Sequence, residues 1–131
     1  MVVDSSALLA IILREDERVV FQDLILRQPV VVMSVVSIVE TTIGLLAKRR
    51  EADAMRLDEI LSTLAIETRG VDERQGRLAR QAFVEFGRAR HPAALNFGDC
   101  FSYALAKVRE EALLFKGDDF LKTDIVPAWR P

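Results

Sequence analysis

The chain opens on a short apolar run, Met1 to Val3, that stops at Asp4-Ser5-Ser6, residue types that cap helices. The stretch "ALLAIILRE" after them carries a helical period, so a strand leads straight into a helix. A second helix is expected in "DERVVFQDLILRQ", ended by Gln28-Pro29, and the β-branched "VVVM" behind it reads as a second strand. Ser34 can cap the next helix, which runs through Glu40 to the basic end "AKRR". From Glu51 to Leu64 the residues Leu57, Ile60, Leu61 and Leu64 repeat at helical spacing, and "AIET" before Gly70 reads as a short strand. Asp72 opens a long helix with Leu78, Ala82, Phe83 and Phe86 inward, broken at His91-Pro92. In "NFGDCFSYALAK" a helix is expected with Asp99 at its start and Phe101, Ala104, Leu105 and Val108 as its apolar stripe. "ALLF" then reads as a buried strand closed by Lys116-Gly117, and "DIVPA" as a final edge strand whose pairing Pro127 limits.

Strands that are continuous apolar runs and alternate with helices point to an α/β chain, a parallel sheet covered by helices on both faces. In such sheets ligands bind beyond the carboxyl ends of the strands. Asp4 sits at the carboxyl end of the first strand, and Asp118 and Asp119 follow the "ALLFKG" strand, so both belong to one rim. Asp99 opens the helix before that strand. Glu40 has Val36, Ile43, Gly44 and Ala47 as its helical neighbours, which places a carboxylate on an apolar face.

An ionised carboxylate against apolar packing costs several kcal/mol unless it is paired or binds a cation, and no lysine or arginine lies within one helical turn of Glu40. If Asp4, Glu40, Asp99 and Asp118 converge, their repulsion raises their pKa values, and a divalent cation relieves it. Hard oxygen ligands of this kind suit Mg²⁺ or Mn²⁺. Each acid also has a plainer reading. Asp4 and Asp99 serve equally as helix caps, the Asp118-Asp119 pair as solvated turn residues, and Glu40 as the partner of a distant arginine. Ser6 can cap or bind a metal-held water.

At 131 residues with 50% hydrophobic content the chain has the size of one domain, 1–131, with a real core. The net charge of −2 gives no global attraction to nucleic acid, so a polyanion would have to meet a local basic patch or bound cations. One cysteine, Cys100, and one histidine, His91, leave no set for zinc and no internal disulfide. Cys100 reads as a small buried hydrophobe and His91 as a loop residue. The start "MVVDSSALLA" has no basic lead-in and makes a poor signal peptide, and the most apolar window, "VVVMSVVSIV", falls well short of the roughly 20 residues that span a bilayer. A cytoplasmic protein without membrane association is expected.

Lys48, Arg49 and Arg50 close the Glu40 helix, and Arg74, Arg77 and Arg88 lie on the polar side of the long helix. Dipole complementarity and solvation explain them, and phosphate binding is the functional alternative. On the second helix Phe21, Leu24 and Leu26 offer either core packing or a partner surface.

In order and spacing, "VVDSSALLA", Glu40 in "SIVETTIGLL", "NFGDCFSYALAK" and "LLFKGDDFLKTDI" resemble the PIN-domain family, and within it the VapC-type toxins of bacterial toxin–antitoxin pairs. The likeness spans essentially the whole chain. It implies a three-layer PIN-like fold with a mostly parallel sheet of about four to five strands. It also implies an acidic metal pocket that falls on Asp4, Glu40, Asp99 and the Asp118-Asp119 pair, with Asp118 favoured as the fourth acid and Ser6 as a supporting hydroxyl. The implied activity is Mg²⁺- or Mn²⁺-dependent RNA hydrolysis, held in check by a VapB-type antitoxin, in a chain that commonly forms a homodimer.

Two other readings compete. A PIN-like module that only binds a partner should lack some of the pocket acids, and all are present. A phosphoacceptor receiver domain needs an acidic pair after the first strand and an aspartate at the end of a middle strand, yet "VVD" runs into serines and "VVVMS" has no aspartate. Lys116 alone favours that second alternative.

Overall fold

The computed structural model describes residues 1–130. Four strands, β1 (Val2–Val3), β2 (Val31–Ser34), β3 (Ile66–Arg69) and β4 (Leu113–Leu114), form one sheet in the order β3-β2-β1-β4, and every pairing is parallel. Around it lie α1 (Ser5–Ile12), α2 (Arg18–Leu26), α3 (Val35–Ala47), α4 (Glu51–Met55), α5 (Leu57–Thr63), α6 (Glu73–Phe86) and α7 (Phe97–Arg109), with a 3-10 turn at Phe120–Lys122.

The strand pleat sorts neighbouring residues into two cores. Val3, Val31, Met33 and Leu114 face α1, α2, α3 and α5, where Leu8, Phe21, Ile25 and Leu45 fill the layer. Val2, Val32, Leu113 and Phe115 face α6 and α7, where Ala82, Phe86, Ala104 and Leu105 meet them. Burial on both faces explains why these strands carry no alternating polar positions. On the outer edge, β3 is the exception, with Glu67 and Thr68 exposed.

Several boundaries differ from the sequence reading. "DIVPA" forms no strand; Pro127 makes one isolated bridge to Leu113, since proline brings no N–H to a ladder. The 51–64 helix is two short ones, because Arg56 leaves helical geometry at φ −103° and ψ 14°. The long helix α6 stops at Phe86, before His91-Pro92. Gly87 turns extended there and bridges to Leu95, and a Cβ on it would lie 2.3 Å from the Phe83 carbonyl oxygen. Phe83, expected inward, is 43% exposed, whereas Ala82 and Phe86 are buried.

Phe21 on α2 is fully buried and packs edge-on against Trp129, ring centroids 5.3 Å apart, so it belongs to the core and not to a partner surface. The exposed apolar stripe runs along α3 instead, through Val35, Val39, Ile43 and Leu46. Among the described residues no helix is long and apolar enough to cross a membrane.

The strand order decides where a site can form. From β1 the chain moves outward through β2 to β3, then returns to place β4 on the other side of β1. The strand order reverses between β1 and β4, and at such a reversal a crevice opens beyond the carboxyl ends of the strands. A receiver domain has the strand order 2-1-3-4-5, and this sheet does not follow it.

Candidate metal centre

Asp4 leaves β1 in extended conformation and caps α1, its Oδ2 accepting from Ser6 N at 2.9 Å and Ser6 Oγ at 2.6 Å. Its Oδ1 accepts from Ser102 Oγ of α7 at 2.6 Å. The cap reading is therefore right for one oxygen only, and the residue is 1% exposed. Ser6 Oγ also accepts from the Lys116 backbone N–H at 3.0 Å, tying the start of α1 to the end of β4.

Glu40 stands in the middle of α3, half-buried, with Oε2 accepting from Ser5 Oγ at 2.8 Å. Asp99 does not itself begin α7. Asn96 is the cap, and Asp99 completes a capping box: Asn96 Oδ1 accepts from Asp99 N at 2.9 Å while Asp99 Oδ2 accepts from Asn96 N at 2.8 Å. That box engages one Asp99 oxygen. Beyond β4 the turn directs Asp119 into the same crevice as Asp4, Glu40 and Asp99, a cavity of about 410 Å³.

Asp118 is turned elsewhere. It lines a separate hollow with Glu17, Leu121 and Trp129, so of the Asp118-Asp119 pair the structure brings Asp119, and not the favoured Asp118, to the other acids. Adjacent residues ahead of a 3-10 turn point in different directions, and sequence spacing does not say which one faces inward.

Burial above all, with the charges of Asp4, Glu40 and Asp119 added and the bond from Asn96 opposing, raises the Asp99 carboxyl to about 7. Glu40 is also raised, first by burial and then by the Asp4 charge, while the Ser5 hydroxyl pulls the other way. Lys116 lines the cavity too, but its ammonium is held by Glu15 at 2.7 Å and Glu17 at 2.8 Å outside the acid cluster. The carboxylates thus repel one another with no basic side chain set between them.

Such a donor set fits a hard divalent cation. Among the described residues no three His, Cys, Asp or Glu side chains are gathered tightly enough to enclose one ion. A cation that keeps several of its waters and takes one or two carboxylates directly needs no tighter cage, which is the usual habit of Mg²⁺.

Four participants escaped the sequence reading: Ser5, Asn96, Gly98 and Ser102. Gly98 carried a usable signal, since glycine inside the first turn of a helix is unfavourable by about 1 kcal/mol and marks a close approach. Here a Cβ on Gly98 would lie 2.3 Å from Glu40 Oε2. Cys100 is buried as expected, and His91 packs edge-on against Phe86, away from the acids.

Known proteins resemble this chain. Residues 1–126 match the family model described as PIN domain. A VapC ribonuclease of Mycobacterium bovis is 44% identical over 126 residues, covering 95% of each chain. The crystal structure of Mycobacterium tuberculosis VapC20, a sarcin-ricin loop cleaving toxin, has the same fold, with a TM-score of 0.74 at 20% identity over 99% of this chain and 98% of that one. A toxin–antitoxin complex from Klebsiella pneumoniae contains a chain with a TM-score of 0.72 at 17% identity, covering 99% and 98% respectively. An acid crevice at the reversal of a four-stranded parallel sheet, a family match over nearly the whole length and a relative at this identity together place the chain in the PIN domain family, among its VapC-type members.

Proposed function

We propose that the chain is a metal-dependent endoribonuclease, the toxin of a toxin–antitoxin pair, hydrolysing RNA phosphodiester bonds at the acid crevice. The observation that carries this reading is the convergence of Asp4, Glu40, Asp99 and Asp119 on one cavity, where the ammonium of Lys116 is drawn off by Glu15 and Glu17. Mg²⁺ or Mn²⁺ is the fitting cation, and when bound it supplies charge neutralisation for a phosphodiester and a water of lowered pKa. Asp4, Glu40, Asp99 and Asp119 would hold it, directly or through its waters, with Asp119 rather than Asp118 supplied from the turn after β4.

The remaining chemistry belongs to the chain's own groups. Ser5 and Ser6 orient Glu40 and Asp4 through their hydroxyls, so the two carboxylates are set before substrate arrives. The Asp99 oxygen left over by the capping box can accept the proton of an attacking water. The proposed catalytic unit is one domain over 1–131, of which Pro131 lies outside the described residues. Its proposed setting is cytoplasmic.

Two partners are part of the same proposal. A VapB-type antitoxin is supported by the similarity to the toxin–antitoxin complex above, and a homodimer by the exposed stripe on α3. Light scattering of the purified chain, with and without co-expressed antitoxin, tests both.

Cleavage of total cellular RNA with Mg²⁺, Mn²⁺ or EDTA, beside Asp99→Asn, tests the activity. Metal-dependent cutting that the variant lacks supports the nuclease. Cutting that survives EDTA, or survives Asp99→Asn, overturns the acid-crevice mechanism, and absence of cutting on any RNA favours a binding module.

A further inference from the structure

Ser37 on α3 and Ser102 on α7 have no exposed surface, and their hydroxyl oxygens stand 2.9 Å apart across the two helices. A hydroxyl inside a helix commonly bonds its own carbonyl four residues back, as Thr41 and Thr42 do here to Ser37 and Ile38. Ser37 and Ser102 turn to each other instead. Ser102 Oγ also donates to Asp4 Oδ1 at 2.6 Å.

The chemistry of the end member sets the direction of this chain. An ionised carboxylate only accepts, so the Ser102 proton is committed to Asp4. The hydrogen shared between the serines must then come from Ser37. Ser37 donates to Ser102, Ser102 donates to Asp4, and each bond polarises the next.

We propose that Ser37 and Ser102 form a positioning relay that fixes the Asp4 carboxylate for cation binding, an inference that rests on the metal-dependent reading above. With the Ser6 N–H and hydroxyl on Oδ2 and the relay on Oδ1, the carboxylate plane is clamped from both sides. Three of its roughly four lone-pair sites are taken in this way, which leaves one, on Oδ1, for a cation. Neither serine lines that cavity, so both act through Asp4. Hydrogen-bond partners behind a ligand fix its orientation and basicity, and their loss weakens metal binding by about tenfold to a hundredfold.

The test titrates Mn²⁺ into the full chain, reading free Mn²⁺ by electron paramagnetic resonance, for wild type, Ser37→Ala, Ser102→Ala and the double variant. Ser102→Ala should weaken binding by about tenfold to a hundredfold, and Ser37→Ala by a smaller factor in the same direction. The double variant should bind no more weakly than Ser102→Ala, because Ser37 acts only through Ser102. Crystal structures of metal-free wild type and Ser37→Ala should show Asp4 turned from its clamped orientation in the variant. Unchanged Mn²⁺ affinity and an unmoved Asp4 in Ser37→Ala overturn the relay. Ser37→Ala carries the test alone if Ser102→Ala does not fold. Should wild type bind no Mn²⁺, the metal-dependent reading fails, and the Asp4 orientation in the metal-free crystals decides the relay by itself.

Discussion

Gly98 on α7 and Glu40 on α3 meet so closely that a single added carbon on Gly98 would lie 2.3 Å from Glu40 Oε2 and 2.5 Å from Oε1. The missing side chain makes room for the carboxylate. Gly98→Ala therefore sets helix propensity, which favours alanine by about 1 kcal/mol, against displacement of the flexible end of Glu40. The fold can absorb that displacement, but the site cannot. The variant should melt within a few degrees of wild type while RNA cleavage falls by roughly a hundredfold, the scale of a misplacement of about 1 Å in a catalytic group. Thermal unfolding and a cleavage assay on the same sample check this, and full activity would remove Glu40 from the site.

Asp118 and Asp119 are neighbours in sequence but line different hollows. Asp119→Asn should lower cleavage and loosen Mn²⁺ binding, while Asp118→Asn should leave both within about twofold of wild type, as a surface change does. The reverse result would mean that the turn after β4 rearranges when a cation binds.

What the sequence showed and what it hid divide along the range of the interactions. Asp4, Glu40 and Asp99 were legible because each is betrayed by local pattern: a strand end, an apolar helix face, a first helical turn. The parallel strands were legible for the same reason, as β-branched runs between helices. The facing of Asp119 depends on backbone angles in one turn, which "KGDDF" does not encode in any period. Ser102 reaches Asp4 across 98 positions and Ser37 reaches Ser102 across 65, so their bonds exist only once α3 and α7 have packed. Phe83 misled because it sits at the border of the apolar stripe, and the early end of α6 at Gly87 depends on the bridge to Leu95.

Arg74, Arg80 and Arg88 are exposed on and just after α6, while Arg77 is engaged with Glu73 at 2.6 Å and Arg50 with Asp53. Arg80 also borders an apolar groove with Phe83, Phe97 and Phe101, at the start of the helix that carries Asp99. If these arginines hold RNA phosphates, binding to inactive Asp99→Asn protein should weaken linearly in log salt, and Arg80→Ala should reduce the slope by about 0.7 for single-stranded RNA. Arg50→Ala, already paired, should leave the slope unchanged. Filter binding across a salt series reads both, and a slope indifferent to Arg80 would move the phosphate track to Lys48 and Arg49.

Asp99 ties the stability of the metal-free protein to pH. Its carboxyl titrates at about 7 in the fold and at about 3.9 in an unfolded chain. Between those values the folded state holds a proton that the unfolded state has lost. Stability from this group is therefore full at acid pH, falls as pH rises from about 4 to about 7, and stays low above that. Asp99→Asn keeps the amide oxygen needed for the capping box and removes the titration. Because Asp99 is partly open to water, screening reduces the effect, and the variant should exceed wild type at pH 8 by on the order of 1 kcal/mol. At pH 4 that advantage should vanish. Denaturant melts of both proteins in EDTA give the difference directly, and parallel pH profiles would show that the fold does not raise the Asp99 carboxyl. Added Mn²⁺ should then stabilise wild type at pH 8 more than it stabilises Asp99→Asn, since binding to the folded state alone shifts the equilibrium by mass action.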